Sequence, residues 1–213
     1  VYVYDPATGT IVEWTNDSIS SSVFCMGPSD ELFWYNAAQS SSYEAESIYK
    51  TPMNGASTLA AGKSSKTTAG AAAGDFVHAY DLALSADGTR IYFTENAEGT
   101  VRNVLLSSGA ITLMETASSP TAICALADPP GALYCTNDAI IQRLDSGSAT
   151  SLQTGQSSAA IASGPDGSYY WFSSYDKRIY KTKSSTASVF AGNGEDLDFD
   201  DFDSMNALSL GLG

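Results

Sequence analysis

The chain has 213 residues, 43% of them hydrophobic, which suffices for one large domain or two small ones around a sizeable core. Its 24 acidic residues against 10 Lys+Arg give a net charge of −14, which excludes nucleic acid as a partner, because binding it needs a basic face that displaces counterions. No run of about 18 apolar residues occurs, so no membrane insertion is expected.

The chain opens on VYVYDPATGTIVEW (1–14), which reads as two strands around a polar turn. An opening on a strand fits either a mature end after cleavage or the boundary of a longer chain or assembly. Asn16-Asp17-Ser18 follows, a glycosylation sequon if the chain is secreted. The next unit has two strands in SVFCMGPSDELFWYN (22–36) and two in SIYKTPMNGASTLAAG (47–62). A polar and small-residue connector, 63–81, carries His78, the one histidine. With no serine elbow or zinc spacing near it, His78 reads as structural rather than catalytic.

Three further units follow: LALSADGTRIYFTENAEGTVRNVLLSSGAITLME (82–115), AICALADPPGALYCTNDAIIQRLDSGSATSLQT (122–154) and AAIASGPDGSYYWFSSYDKRIYKTKSSTASVFAG (159–192). Each has a short apolar strand, a tight turn (ADG, DPPG or PDG), an aromatic-rich strand, and two more strands around a Ser/Gly turn. Four short strands per unit of about 40 residues predict the antiparallel blades of an all-β propeller. IYKT recurs at 48–51 and 179–182, three units apart, and both copies run on through Ala-Gly into a connector. A β-sandwich or plain meander is the alternative, but sandwich strands need not repeat at a fixed period.

The opening stretch matches the second and third strands of a unit, IYFTENAEGTVRNV (91–104), and the terminal NALSLGLG (206–213) matches a first strand. The expected architecture is therefore one propeller domain over 1–213. Its blades fall near 206–213 with 1–20, then 21–62, 82–118, 119–155 and 156–192, with connectors at 63–81 and 193–205. Five blades are visible, closed by the composite one, with Leu208–Leu212 beside Val1–Asp5. A six-bladed ring is the alternative. Closure matters because an open ring leaves unpaired strand edges.

In ICALADPPGALYC, pairing outward from Asp128 and Gly131 sets Cys124 opposite Cys135. Two readings stand: a cross-strand disulfide, or two buried thiols. Cys25 would face Trp34 and remain a thiol. The run GEDLDFDDFDSM supplies Asp196, Asp198, Asp200, Asp201 and Asp203 between Leu197, Phe199 and Phe202. Alternating carboxylates suit a hard cation such as Ca²⁺ or a basic partner, yet the EF-hand spacing is absent. The other reading is a solvated connector pinned by its Phe residues.

LALSADGTRIYFTEN, IASGPDGSYYWFSS and the connector AGNGEDLDFDDFDSMNALSLGL together resemble the NHL-repeat β-propellers, over most of residues 20–213. The Arg usual in the third strand of that family is present as Arg178 and loosely as Arg102 and Arg143. Gluconolactonase-like and strictosidine-synthase-like six-bladed propellers are more distant cousins. The gluconolactonase-like resemblance implies a divalent metal on the axis, held by Asp, Asn and Glu side chains, that polarises a lactone. The ends of the second strands here are Asp5, Asn36, Glu95, Asn137 and Ser174. Of these, Asp5, Asn36, Glu95 and Asn137 are the candidate ligands; the alternative is that polar strand ends meet solvent.

The expectation is a non-enzymatic, extracellular or cell-surface module that binds a protein or glycan within a larger assembly. Its basis is the blade repeat, a surface of Ser, Thr, Gly and Ala, and the sequon. The alternative is a metal-dependent lactonase-like hydrolase using the axial ring.

Overall fold

The computed structural model describes residues 2–5, 10–13, 23–27, 29–36, 47–62, 78–127, 130–136, 140–145, 148–153, 158–164, 166–173, 175–183 and 186–194. It is all-β. A two-stranded hairpin pairs β1 (Tyr2–Asp5) with β2 (Thr10–Glu13). Four four-stranded antiparallel sheets follow. The first holds β3 (Phe24–Met26), β4 (Glu31–Asn36), β5 (Ser47–Pro52) and β6 (Thr58–Gly62). The second holds β7 (Asp81–Leu84), β8 (Arg90–Glu95), β9 (Thr100–Leu105) and β10 (Ala110–Thr116). The third holds β11 (Pro120–Ala127), β12 (Pro130–Thr136), β13 (Ile141–Asp145) and β14 (Ser148–Gln153). The fourth holds β15 (Ser158–Ser163), β16 (Tyr169–Ser173), β17 (Arg178–Lys183) and β18 (Thr186–Ala191).

Each sheet is a simple meander, and consecutive sheets meet through their first strands: β3 against β7, β7 against β11, β11 against β15. These are the blades of a propeller, with first strands inside and fourth strands outside. Chain order then sorts the loops. Turns between strands one and two, and three and four, gather at one end. Turns between strands two and three gather at the other, with the connections from one blade to the next.

The core lies between blades because alternate residues of each strand face opposite neighbours. Phe33, Tyr35 and Ile48 of the first sheet pack on Leu82, Ile91 and Phe93 of the second. Tyr92 and Val101 meet Ile123, Ala132 and Tyr134 of the third. Leu133, Cys135 and Ile141 meet Tyr169 and Trp171 of the fourth. Full burial of each such side chain is worth roughly 1.5–3 kcal/mol, so blade contact rather than any single hairpin stabilises the arc.

Two repeated devices tie sequence to geometry. Trp34 stacks on its cross-strand partner Tyr49, ring centroids 5.1 Å apart, and donates Nε1–H to Thr51 Oγ1 at 2.9 Å. Trp171 stacks on its partner Tyr180 at 4.4 Å and donates to Thr182 Oγ1 at 3.0 Å. The recurrent IYKT thus supplies a ring for a tryptophan and an acceptor for its N–H. Second, every four-stranded sheet has a bulge where its fourth strand pairs with its third. The extra residues are Ala60, Met114, Leu152 and Phe190. Bulges twist an exposed edge and so discourage pairing with another chain.

The two Ala-Gly exits behave alike. Gly62 ends β6 at φ +87°, and Gly192 directly follows β18 at φ +91°. A Cβ on Gly192 would stand 2.7 Å from the Lys177 carbonyl, so glycine is required there by space as well as by φ.

The hairpin registers correct two expectations. Ala127 pairs with Pro130, two residues earlier in the summed count than an Asp128–Gly131 closure, so Cys124 faces Leu133 rather than Cys135. Pro130 is tolerated as the first residue of β12, which shortens the loop. Cys124 and Cys135 become diagonal neighbours of one core cluster. Diagonal Cα atoms lie about 7–8 Å apart, at or beyond disulfide reach, and the three cysteines form no disulfide. Cys25 faces Phe33, while Trp34 faces Phe24. The proposed strand at 206–213, and hence its pairing with β1, lies outside the described residues.

Candidate functional site

Of the candidate axial ligands, Asp5, Asn36 and Glu95 fall at strand ends among the described residues. Glu95 ends β8 in the position expected, but its carboxylate is already engaged. Arg102 Nη1 lies 3.1 Å from Oε1 and 3.3 Å from Oε2, Thr100 Oγ1 donates to Oε2 at 2.5 Å, and the His78 backbone N–H donates to Oε1 at 3.1 Å. Asn36 ends β4 and Asp5 ends β1. Asn137 and Ser174 lie outside the described residues, as do Asn16 and the acidic run Asp196–Asp203. Among the described residues, no three His, Cys, Asp or Glu side chains are placed to hold one metal ion. Within the axial set, Glu95 is held by protein donors.

Asp81 is the acidic side chain that does reach between inner strands, and nothing in the sequence singled it out. Its Oδ2 accepts the Ile123 N–H of the next blade at 2.9 Å, and its Oδ1 accepts the Leu82 N–H at 2.9 Å. Burial raises its carboxyl above the ordinary carboxylate range, against the pull of these two donors. Cys25 and Cys124 lie near enough to feel its charge. Burial, with that charge, pushes both thiols to about 12. They line a shallow axial depression at the end where the strand-one/strand-two turns lie. Both are protonated at neutral pH and chemically quiet.

The two Asp-Gly turns are built by their aspartates. Asp87 Oδ1 accepts from Ser85 Oγ, Thr89 N and Thr89 Oγ1, which holds its carboxyl down at about 2. Asp166 accepts from Ser168 Oγ and N and from Lys181 Nζ, which lowers it further.

At the opposite end, His78 Nδ1 lies 2.9 Å from Glu98 Oε1 on the turn after β8. This pair is an exposed surface contact. Tyr80 is 56% exposed at the entry to β7, and Tyr175 is 86% exposed in the turn between β16 and β17. Neither ring was singled out by the sequence, which showed aromatic density on the second strands; the turns decide that these two face water.

Between the first and second sheets lies a groove of about 630 Å³. Lys50 Nζ meets Glu31 Oε1 there at 2.8 Å. The matching lysine of the second IYKT, Lys181, meets Asp166 at 3.1 Å and lies over the Tyr170 ring at 5.4 Å. The recurrence of Lys in IYKT was visible in the sequence; its carboxylate partners, Glu31 at the start of β4 and Asp166 in the turn before β16, were not.

No family model and no curated protein matches the chain. Solved structures do. A catalytically inactive virginiamycin B lyase from Staphylococcus aureus with quinupristin is similar over 85% of this chain and 59% of that one, at 18% identity and a TM-score of 0.57. An auxiliary nutrient binding protein from Bacteroides thetaiotaomicron is similar over 85% and 44%, at 13% identity and 0.61. Regucalcin from Agrobacterium tumefaciens, described as calcium-binding, is similar over 95% and 65%, at 18% identity and 0.56. The chain thus spans between 44% and 65% of the length of these three structures. At such identities the likeness speaks to fold. With four meander sheets meeting through their inner strands, it establishes that this chain folds as a β-propeller, as its distant resemblance to the gluconolactonase-like propellers implied.

Proposed function

We propose that the chain is a non-enzymatic, extracellular interaction module for a protein or glycan partner. The observation that carries this is the pair of outward tyrosines, Tyr175 and Tyr80, at the end where the blade connections run. Tyrosine offers a rigid apolar ring and a polar tip, and it is enriched where surfaces bind. The description of one structural relative as a nutrient binding protein supports a binding role. The sequon at Asn16 and the low-charge polar surface support a secreted or surface location.

The test is binding of the purified protein to arrayed glycans and extracellular proteins, compared with Tyr175→Ala and Tyr80→Ala. Loss of an interaction in either variant, with the fold intact by circular dichroism, is the expected result. Lactone hydrolysis that Ca²⁺ stimulates would end the non-enzymatic reading. Intact mass of the native polypeptide reports glycan on Asn16.

A divalent-metal-dependent hydrolase is the second reading. The likeness in fold to regucalcin favours it. The engagement of Glu95 by Arg102 counts against it. Calorimetric titration with Ca²⁺ separates the two.

A further inference from the structure

We propose that the groove between the first two four-stranded sheets binds a neutral saccharide. This deepens the interaction-module reading above and rests on its glycan branch. The groove's volume, about 630 Å³, falls within the range of small-molecule sites. Glu31, Lys50 and Thr58 line it from one sheet, and Thr89, Leu106 and Ser107 from the next.

Charge selects the ligand class. Among the described residues, the charged residues lining the groove are Lys50 and Glu31, and they neutralise one another at 2.8 Å. In a chain of net charge −14 this is a locally neutral surface. An anion would meet the Glu31 carboxylate beside the ammonium, and a cation would meet the ammonium beside the carboxylate, so the pair favours neither sign. A neutral ligand meets neither conflict. It can use what the pair leaves over: the contact spends one ammonium N–H and one carboxylate oxygen, leaving further N–H donors and Oε2.

The remaining polar groups suit hydroxyls. Thr58, Thr89 and Ser107 are exposed. Thr89 Oγ1 already donates to Asp87 at 2.9 Å, so it faces a ligand as an acceptor. Donors, acceptors and a bidirectional hydroxyl within one groove match a polyol, whose hydroxyls both donate and accept. Leu59, 44% exposed, and Leu106 give the groove apolar lining for a sugar's C–H face.

The fourth sheet supplies an internal control. Lys181 pairs with Asp166 in the equivalent place, but it rests on the Tyr170 ring and is not part of the groove's lining. If an exposed Lys–carboxylate pair alone sufficed, both would matter.

The experiment is calorimetric titration of the whole chain with maltotriose, cellotriose and mannotriose, and with sialyllactose as a charged comparison. At least one neutral trisaccharide binds. Lys50→Met weakens it about ten-fold or more, the effect of removing a charged hydrogen-bond donor. Ser107→Trp, which fills the groove without touching the ion pair, abolishes binding, and Lys181→Met leaves it unchanged. Circular dichroism checks that each variant folds. The inference is overturned if no neutral trisaccharide binds the folded protein at millimolar concentration. It also falls if Lys50→Met and Ser107→Trp bind as tightly as the parent. Should partner binding that depends on Tyr175 survive such a failure, the saccharide groove falls and the interaction-module reading stands.

Discussion

Arg102 holds Glu95 with one guanidinium nitrogen 3.1 Å from Oε1 and 3.3 Å from Oε2, and the two side chains are only 10% and 4% exposed. The Arg102 guanidinium also lies over the Phe93 ring, 5.6 Å from its centroid. Arginine suits this place because its planar group can stack and donate together. Arg102→Met leaves a buried carboxylate with only neutral donors. We expect a loss of about 3–5 kcal/mol, read as a lower urea midpoint. Glu95→Gln added to Arg102→Met should recover part of it. Additive losses would show that the pair is not coupled.

The tryptophan acceptors give a second prediction. Thr182 is fully buried and accepts from Trp171. Thr182→Val keeps the shape but strands the indole N–H, at a cost of about 1–3 kcal/mol. Thr51→Val should act in the same direction through Trp34, since the geometry repeats. Denaturation followed by tryptophan fluorescence measures both. An unchanged midpoint in both variants would remove this role for IYKT.

The aspartates respond to pH with opposite signs. Burial raises Asp81, so the native state binds its proton more tightly than the unfolded chain does. Its contribution is fully present below the unfolded pKa and is lost as pH rises through the raised folded value. Asp87 is lowered from 3.8 to about 2, so its contribution is present above the unfolded value and is lost as pH falls towards 2. Denaturation of Asp81→Asn and Asp87→Asn against the parent across acid pH should give difference curves of opposite slope.

The cysteines supply the fourth prediction. With Cys25 and Cys124 near 12, iodoacetamide at pH 7.5 should label the native protein slowly and the denatured protein at three sites. Non-reduced intact mass should show three thiol hydrogens. A mass two units lower would mean that Cys124 and Cys135 bridge after all, which requires the β11–β12 register to move.

Much of the fold was legible because blades repeat. The recurrence of IYKT and of short strands around Asp-Gly turns is a local signal, and local turn chemistry governs hairpins. Register across DPPG was not legible. A run with two prolines admits more than one closure, and a shift there changes which residues oppose. Cys124 and Cys135 show the consequence.

The candidate site was less legible for the same reason in three dimensions. Glu95 read as a strand-end carboxylate, and so as a metal ligand. Its actual partner, Arg102, sits on the neighbouring strand, and only their joint burial shows the carboxylate to be committed. Asp81 looked like any residue at the start of a strand until the next blade brought the Ile123 N–H to it.

The sequence by itself determined the meander: the alternation of apolar residues, the Asp-Gly turns and the Ala-Gly exits depend on contacts only a few residues apart. The tertiary structure alone decided which polar groups are spent and which remain. Asp81 acquired its role when blades packed, and Glu95 and the Lys50–Glu31 pair acquired theirs when neighbouring strands of a sheet paired, because burial and partners arrive together only in the folded chain.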